Sequence, residues 1–206
     1  MVALMKQLGA DGVNGDTMTG VPEHYSRSAE RIGYPLVFEP EIAPKEDQLG
    51  WNLMSWGYFD YVQATLNPAV HVAKFKWLEP RHMAHVNDRW QRNREDMPQH
   101  AFFNGIGFES WENVWGIWVG LTPRDGEALR RMAILQRAMS AYLISPAWEP
   151  MVPTEQFGVL ASRWPLGGKS LWTLVNRNEY VVSGPQLALP AAPARSRPNS
   201  PSPGST

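Results

Sequence analysis

Short apolar runs separated by helix-length segments place the tightest constraint on what this chain can fold into. Residues 12–16, 35–39, 52–56, 72–77 and 101–106 each read as a short strand. Between the first two, residues 22–33 open on Pro22 and close on Gly33, which predicts a helix. Residues 82–94 read as another, with Met83, Val86 and Trp90 on one face. The clearest helix starts at Thr122-Pro123-Arg124-Asp125, where Thr suits the N-cap, Pro the first turn and Asp the positive helix end. Leu129, Met132, Ala133, Gln136, Met139 and Leu143 follow at three-to-four spacing, and Ser145-Pro146 stops the run. The first residues read as the last turns of an amphipathic helix ended by Gly9. Strands alternating with helices predict βαβ units and a parallel sheet.

Downstream, residues 149–190 lose the helical period. Residues 156–164 and 170–176, joined through Leu166-Gly167-Gly168-Lys169, predict a β-hairpin. Residues 179–182 and 186–189 would extend it. Two or three strands make no independent sandwich, so they pack on the preceding zone or open a further sheet domain. Residues 191–206, rich in Pro, Ser and Ala, predict a disordered tail. A complete eight-unit barrel takes about 250 residues. The expected fold is therefore α/β: the C-terminal half of a partial (β/α)8 barrel over residues 1–148, then an incomplete antiparallel β-sandwich over 149–190. The first barrel strands are expected to be missing, as in a fragment.

Composition narrows the chemistry. The 206 residues are 43% hydrophobic and 19% charged, which is ordinary for a globular protein with a real core. A net charge of −1 gives no electrostatic case for nucleic acid. The basic cluster from Arg89 to Arg94 is followed at once by Glu95 and Asp96 and reads as a solvated face. No apolar run reaches the roughly 18 residues of a membrane span, and the N-terminus shows no signal peptide. With no cysteine, disulfides, thiolate nucleophiles and Cys-bound metals are excluded. Phe103-Asn104-Gly105-Ile106-Gly107 has too few glycines for a dinucleotide loop, so no cofactor is expected. His82 and His85 would share one helical face, yet no third ligand stands near them, and no metal is expected.

The functional signal lies in carboxylates and indoles. Ala10-Asp11-Gly12-Val13-Asn14-Gly15-Asp16-Thr17 reads as a buried strand running out on Asp16, where parallel β/α folds place catalytic groups. The competing reading makes Asp16 the cap of the next helix. Of ten Trp, Trp51, Trp56, Trp77, Trp90, Trp111, Trp115 and Trp118 crowd one stretch. Indole faces stack on the C–H face of a sugar, although any one Trp is equally suited to a core.

Ala10–Asp16 resembles the fourth-strand segment of retaining (β/α)8-barrel glycoside hydrolases. Gly107-Phe-Glu-Ser-Trp-Glu-Asn-Val-Trp-Gly-Ile-Trp118, with Val119 to Asp125 after it, resembles a bacterial group of glycosidase-like proteins. These have a barrel followed by a β-sandwich, and some carry a sulfatase-modifying-factor-like domain. The resemblance spans about residues 8–190 and implies that Asp16 is the nucleophile. Retaining enzymes need a second carboxyl about 5–5.5 Å away. Glu39, at the end of the neighbouring strand, is the first candidate acid/base. Glu109 is the second, in the Trp-rich stretch with Glu112, and Glu79 follows. Asn14, Trp56, Glu79, Arg81, His82, Trp111, Glu112 and Trp115 are the expected substrate-binding residues. A carbohydrate is the expected partner; a binding protein without turnover and an inactive gene fragment are the alternatives.

Overall fold

A computed structural model describes residues 1–41, 44–59, 74–87, 96–109, 113–114, 117–118 and 121–189. The tail predicted at 191–206 lies outside them, as do Trp90, Trp111, Glu112 and Trp115. The chain is mixed α/β, with parallel strands first and an antiparallel pair last.

Helix α1 (Val2–Leu8) ends on Gly9, whose left-handed φ of 69° lets the chain turn into β1 (Gly12–Asn14). Helix α2 (Glu23–Arg31) leads to β2 (Val37–Glu39), which pairs with β1 in parallel. A 3-10 turn (Glu46–Gln48) precedes β3 (Met54–Phe59). Helix α3 (Lys74–Leu78), β4 (Met83–Asn87), α4 (Asp96–Asn104) and β5 (Gly107–Glu109) follow, and β3, β4 and β5 form a parallel sheet. A parallel bridge between Glu41 and Trp56, with Trp56 N–H donating to the Pro40 carbonyl at 3.2 Å, joins the two sheets in chain order. Strands β6 (Asn113–Val114) and β7 (Ile117–Trp118) make a small antiparallel pair.

Three elements differ from the sequence reading. Residues 74–78 are helical, where a strand over 72–77 was expected. A short apolar run does not distinguish a buried helix turn from a strand. Residues 83–87 are a strand, not the start of a helix. The three-residue spacing of Met83 and Val86 hid a period of two, in which Ala84 and Val86 are buried and Met83 and His85 are only half-buried. Residues 101–104 belong to α4 instead of a strand; Gly105, at φ 59°, stops that helix.

The core lies between the sheet and its helices. Phe75, Ala84, Val86, Ala101, Ile106 and Met132 pack there with Leu49. Helix α5 (Pro123–Ala138) supplies Met132 and starts as expected, the Asp125 N–H donating to Thr122 Oγ1 at 3.2 Å. It breaks at Met139, so the predicted continuation to Leu143 is a separate turn, α6 (Ser140–Leu143).

The hairpin is present: β8 (Val159–Leu166) pairs with β9 (Lys169–Asn176) across Gly167-Gly168, both at positive φ. Trp164 packs with Leu143 and Trp148, and Val175 with Phe103, so the hairpin leans on α4 and α6. The expected extension does not form. Residues 179–182 and 186–189 adopt no strand, and Val181 is 88% exposed.

Under the hairpin sits a buried cation. Lys76, 1% exposed, donates from Nζ to the Gly105 carbonyl (3.2 Å) and the Leu143 carbonyl (3.1 Å). Both carbonyls lie at helix C-terminal ends, where partial negative charge collects. The Trp148 and Trp164 rings, stacked 5.1 Å apart, lie 5.5 and 5.2 Å from the ammonium. Burial pushes the Lys76 pKa down to about 8. The unfolded chain therefore holds the extra proton between pH 8 and the ordinary lysine value, and stability rises with pH across that window. Between pH 8 and 10 the expected gain is about 2 kcal/mol relative to Lys76→Met, which has no such proton. Urea midpoints of both proteins at the two pH values measure it; parallel pH curves would refute it.

Candidate functional site

Parallel register sorts the side chains of the array into two faces. Phe38, Ser55, Ala84 and Val86 are buried on the side that faces the helices. Strand alternation puts Asn14, Glu39, Trp56, His85 and Glu109 on the other side. Asn14, Glu39 and Glu109 are the last residues of β1, β2 and β5. Parallel strands end at one rim, so these three share it. A depression of about 380 Å³ opens on this face beside Gly12, Asn14, Val37, Glu39 and Met54.

Glu39 is the hub. One carboxylate oxygen accepts from His85 Nδ1 and the other from Asn14 Nδ2 at 3.1 Å, while the Glu39 carbonyl accepts the Gly15 N–H at 3.0 Å. The hydrogen bond from His85, helped by Asn14 and by the charge of the imidazole, holds the carboxyl below the usual range. Partial burial opposes this without reversing it. Glu39 is thus an ionised, fixed carboxylate at neutral pH. That argues against its expected role as the acid, which needs its proton.

Asp16 follows β1 by two residues and is exposed, with no hydrogen bond among the described residues. It does not cap α2, whose N-cap is Pro22. The turn around it is braced on both sides. Trp56 Nε1 donates to the Gly15 carbonyl at 2.9 Å, and the Thr17 N–H donates to the Glu41 carboxylate. Thr17 has φ 54°, which costs a β-branched residue about 1–2 kcal/mol. Backbone strain of this kind gathers at functional sites.

The remaining expected residues are placed differently. Trp56 is 6% exposed with its N–H spent on Gly15; it is a strut for the Asp16 turn and offers no free face for stacking. Glu79 and Arg81 precede β4 and so lie at the opposite rim from Glu39. They bind each other, Arg81 Nε and Nη2 donating to the two Glu79 oxygens at 2.8 Å each. This pair draws the Glu79 pKa down to about 2. His82 is fully buried on the helix side. Its Nε2 is 2.9 Å from Ser55 Oγ, its ring meets Phe75 edge-on, and burial lowers its pKa to about 4. It is a neutral core histidine beyond reach of a substrate. On a strand, residues three apart face opposite ways, so His82 and His85 do not form the pair that a helix would have given. Among the described residues no three His, Asp or Glu side chains gather around a metal-sized space, and no helix there is long and apolar enough to cross a membrane.

Glu41 and Gly107 are site residues that the sequence does not single out, and His85 stands out there only as a metal ligand. The alternation His-Met-Ala-His-Val-Asn carried the signal for His85. A β-carbon at Gly107 would stand 2.1 Å from His85 Cδ2, so only glycine leaves room for the imidazole. No protein-family model matches the chain, and no curated protein matches it either.

Proposed function

We propose that the protein is glycoside hydrolase-like and cleaves a glycosidic bond by the two-carboxylate retaining mechanism. The observation that carries this reading is that Glu39, Glu109 and the turn bearing Asp16 share one rim of a parallel strand array, with Glu39 and Glu109 on the face turned away from the helices. In this reading the array is part of a (β/α)8 barrel, and the hairpin opens a β-sandwich.

Asp16 attacks the anomeric carbon and displaces the leaving oxygen, which takes a proton from Glu109. Glu109, now a carboxylate, removes a proton from water, and that water releases the sugar from Asp16. Glu39 keeps its negative charge throughout and stabilises the positive charge that builds on the ring.

A panel of aryl glycosides tests the reading. Turnover of at least one member is expected, with NMR showing product of the same anomeric configuration as the substrate. An inverted product would discard the retaining mechanism. Saturable sugar binding with no hydrolysis over long incubation would instead favour a carbohydrate-binding protein.

A further inference from the structure

We infer that His85 Nε2 is a hydroxyl-binding subsite for a neutral sugar, an inference that rests on the carbohydrate reading above. The geometry is specific. His85 is half-buried on the polar face, with its Nδ1 committed to Glu39. Because Glu39 accepts at Nδ1, the polar atom that the ring turns outward is Nε2, which can pair with a hydroxyl. Nε2 has no partner among the described residues. It lies over Gly107, 2.8 Å from where a β-carbon would be, and Glu109 is two residues further along the same strand face. The free nitrogen therefore stands between a fixed anion and the proposed acid, where the ring hydroxyls of a bound sugar would lie.

Ligand class follows from charge. Glu39 touches the imidazole, and Glu109 ends the strand beside it. A uronate or sugar phosphate would meet the like charge of Glu39 there, whereas a hydroxyl pairs with Nε2 without that penalty. Gly107 supplies the space and Glu39 fixes the ring orientation, and both are positioning residues for His85.

The test uses a panel of monosaccharide methyl glycosides, their single-deoxy analogues and the matching uronates. Binding is followed by calorimetry and by the imidazole 15N resonances of His85. In the wild-type protein one deoxy analogue is expected to bind about tenfold more weakly than its parent, and the parent to shift the Nε2 signal. His85→Asn keeps an amide near Nδ1 for Glu39 but has nothing at Nε2. It is expected to bind parent and deoxy analogue alike, at the weaker level. Gly107→Ala keeps the histidine and crowds its ring, and the same tenfold penalty is expected to disappear. Circular dichroism checks that both variants are folded, and His85→Gln, which restores a polar atom near Nε2, is expected to recover part of the difference.

Wild-type affinity in His85→Asn, or an unmoved Nε2 resonance under saturating sugar, overturns the subsite. If aryl glycosides are still hydrolysed with retention in that case, the proposed function stands without it. If wild-type protein neither binds nor cleaves any sugar, both fall. Uronates binding as tightly as neutral parents overturn the assigned ligand class.

Discussion

Replacing Asp16 by Gly is expected to lower turnover of an aryl glycoside at least about a thousandfold, and added azide to restore part of it. The logic is local. Asp16 is exposed and bonds to nothing among the described residues, so its removal leaves the Glu39 network and the Trp56 strut in place. Surface substitutions of that kind change stability by about 0.5 kcal/mol or less, so a lost rate reports chemistry. Azide fits the space of the missing carboxylate, attacks the anomeric carbon and expels the aryl oxide. The product is a glycosyl azide inverted relative to the substrate, which NMR identifies. Loss of rate without that product would make Asp16 a binding group, and undiminished turnover would remove it from the reaction.

Trp164→Ala is expected to cost about 3–5 kcal/mol, a fifth or more of the stability usual for a domain. Trp164 is fully buried, stacks on Trp148 at 14°, and donates from Nε1 to Thr173 Oγ1 at 3.2 Å. Thr173 in turn donates to the Phe103 carbonyl at 3.1 Å, which ties the hairpin to α4. Truncation leaves a cavity the size of an indole and takes away half of the aromatic bed of Lys76. A chemical-denaturation midpoint that falls with an unchanged slope is the expected signature. A loss below about 1 kcal/mol would mean that the surrounding side chains collapse to fill the space.

How much of this was legible in the chain depends on where the deciding interaction lies. Gly9, the Thr122 cap and the Gly167-Gly168 turn are local devices, read from a few adjacent residues, and all three form as expected. The strands at Gly12 and Val37 were legible for the same reason. The segments around Phe75, Met83 and Phe102 were misread. Their short apolar runs fit either period, and only packing against the sheet decides between them. The candidate site divides in the same way. Glu39 ends the strand that the pattern suggested and Asp16 follows its strand closely, whereas Glu109 ends a strand where a loop was expected. The bond between Glu39 and His85 spans 46 positions, and the sequestering of His82 against Ser55 spans 27. No spacing rule reaches across such intervals. The mutual grip of Glu79 and Arg81, two residues apart, is local enough to be legible in the sequence, and it occupies the groups expected to contact substrate.

The clash distance at Gly107 also has an evolutionary reading. Positions 85 and 107 share one volume, and even a methyl group at the second displaces the imidazole at the first from its place. Change at either site then has an order. A larger residue at 107 costs the histidine its seat on Glu39, while the loss of the histidine leaves 107 free to drift. Homologues of this chain should therefore vary at the two positions together, with histidine and glycine kept or lost as a couple.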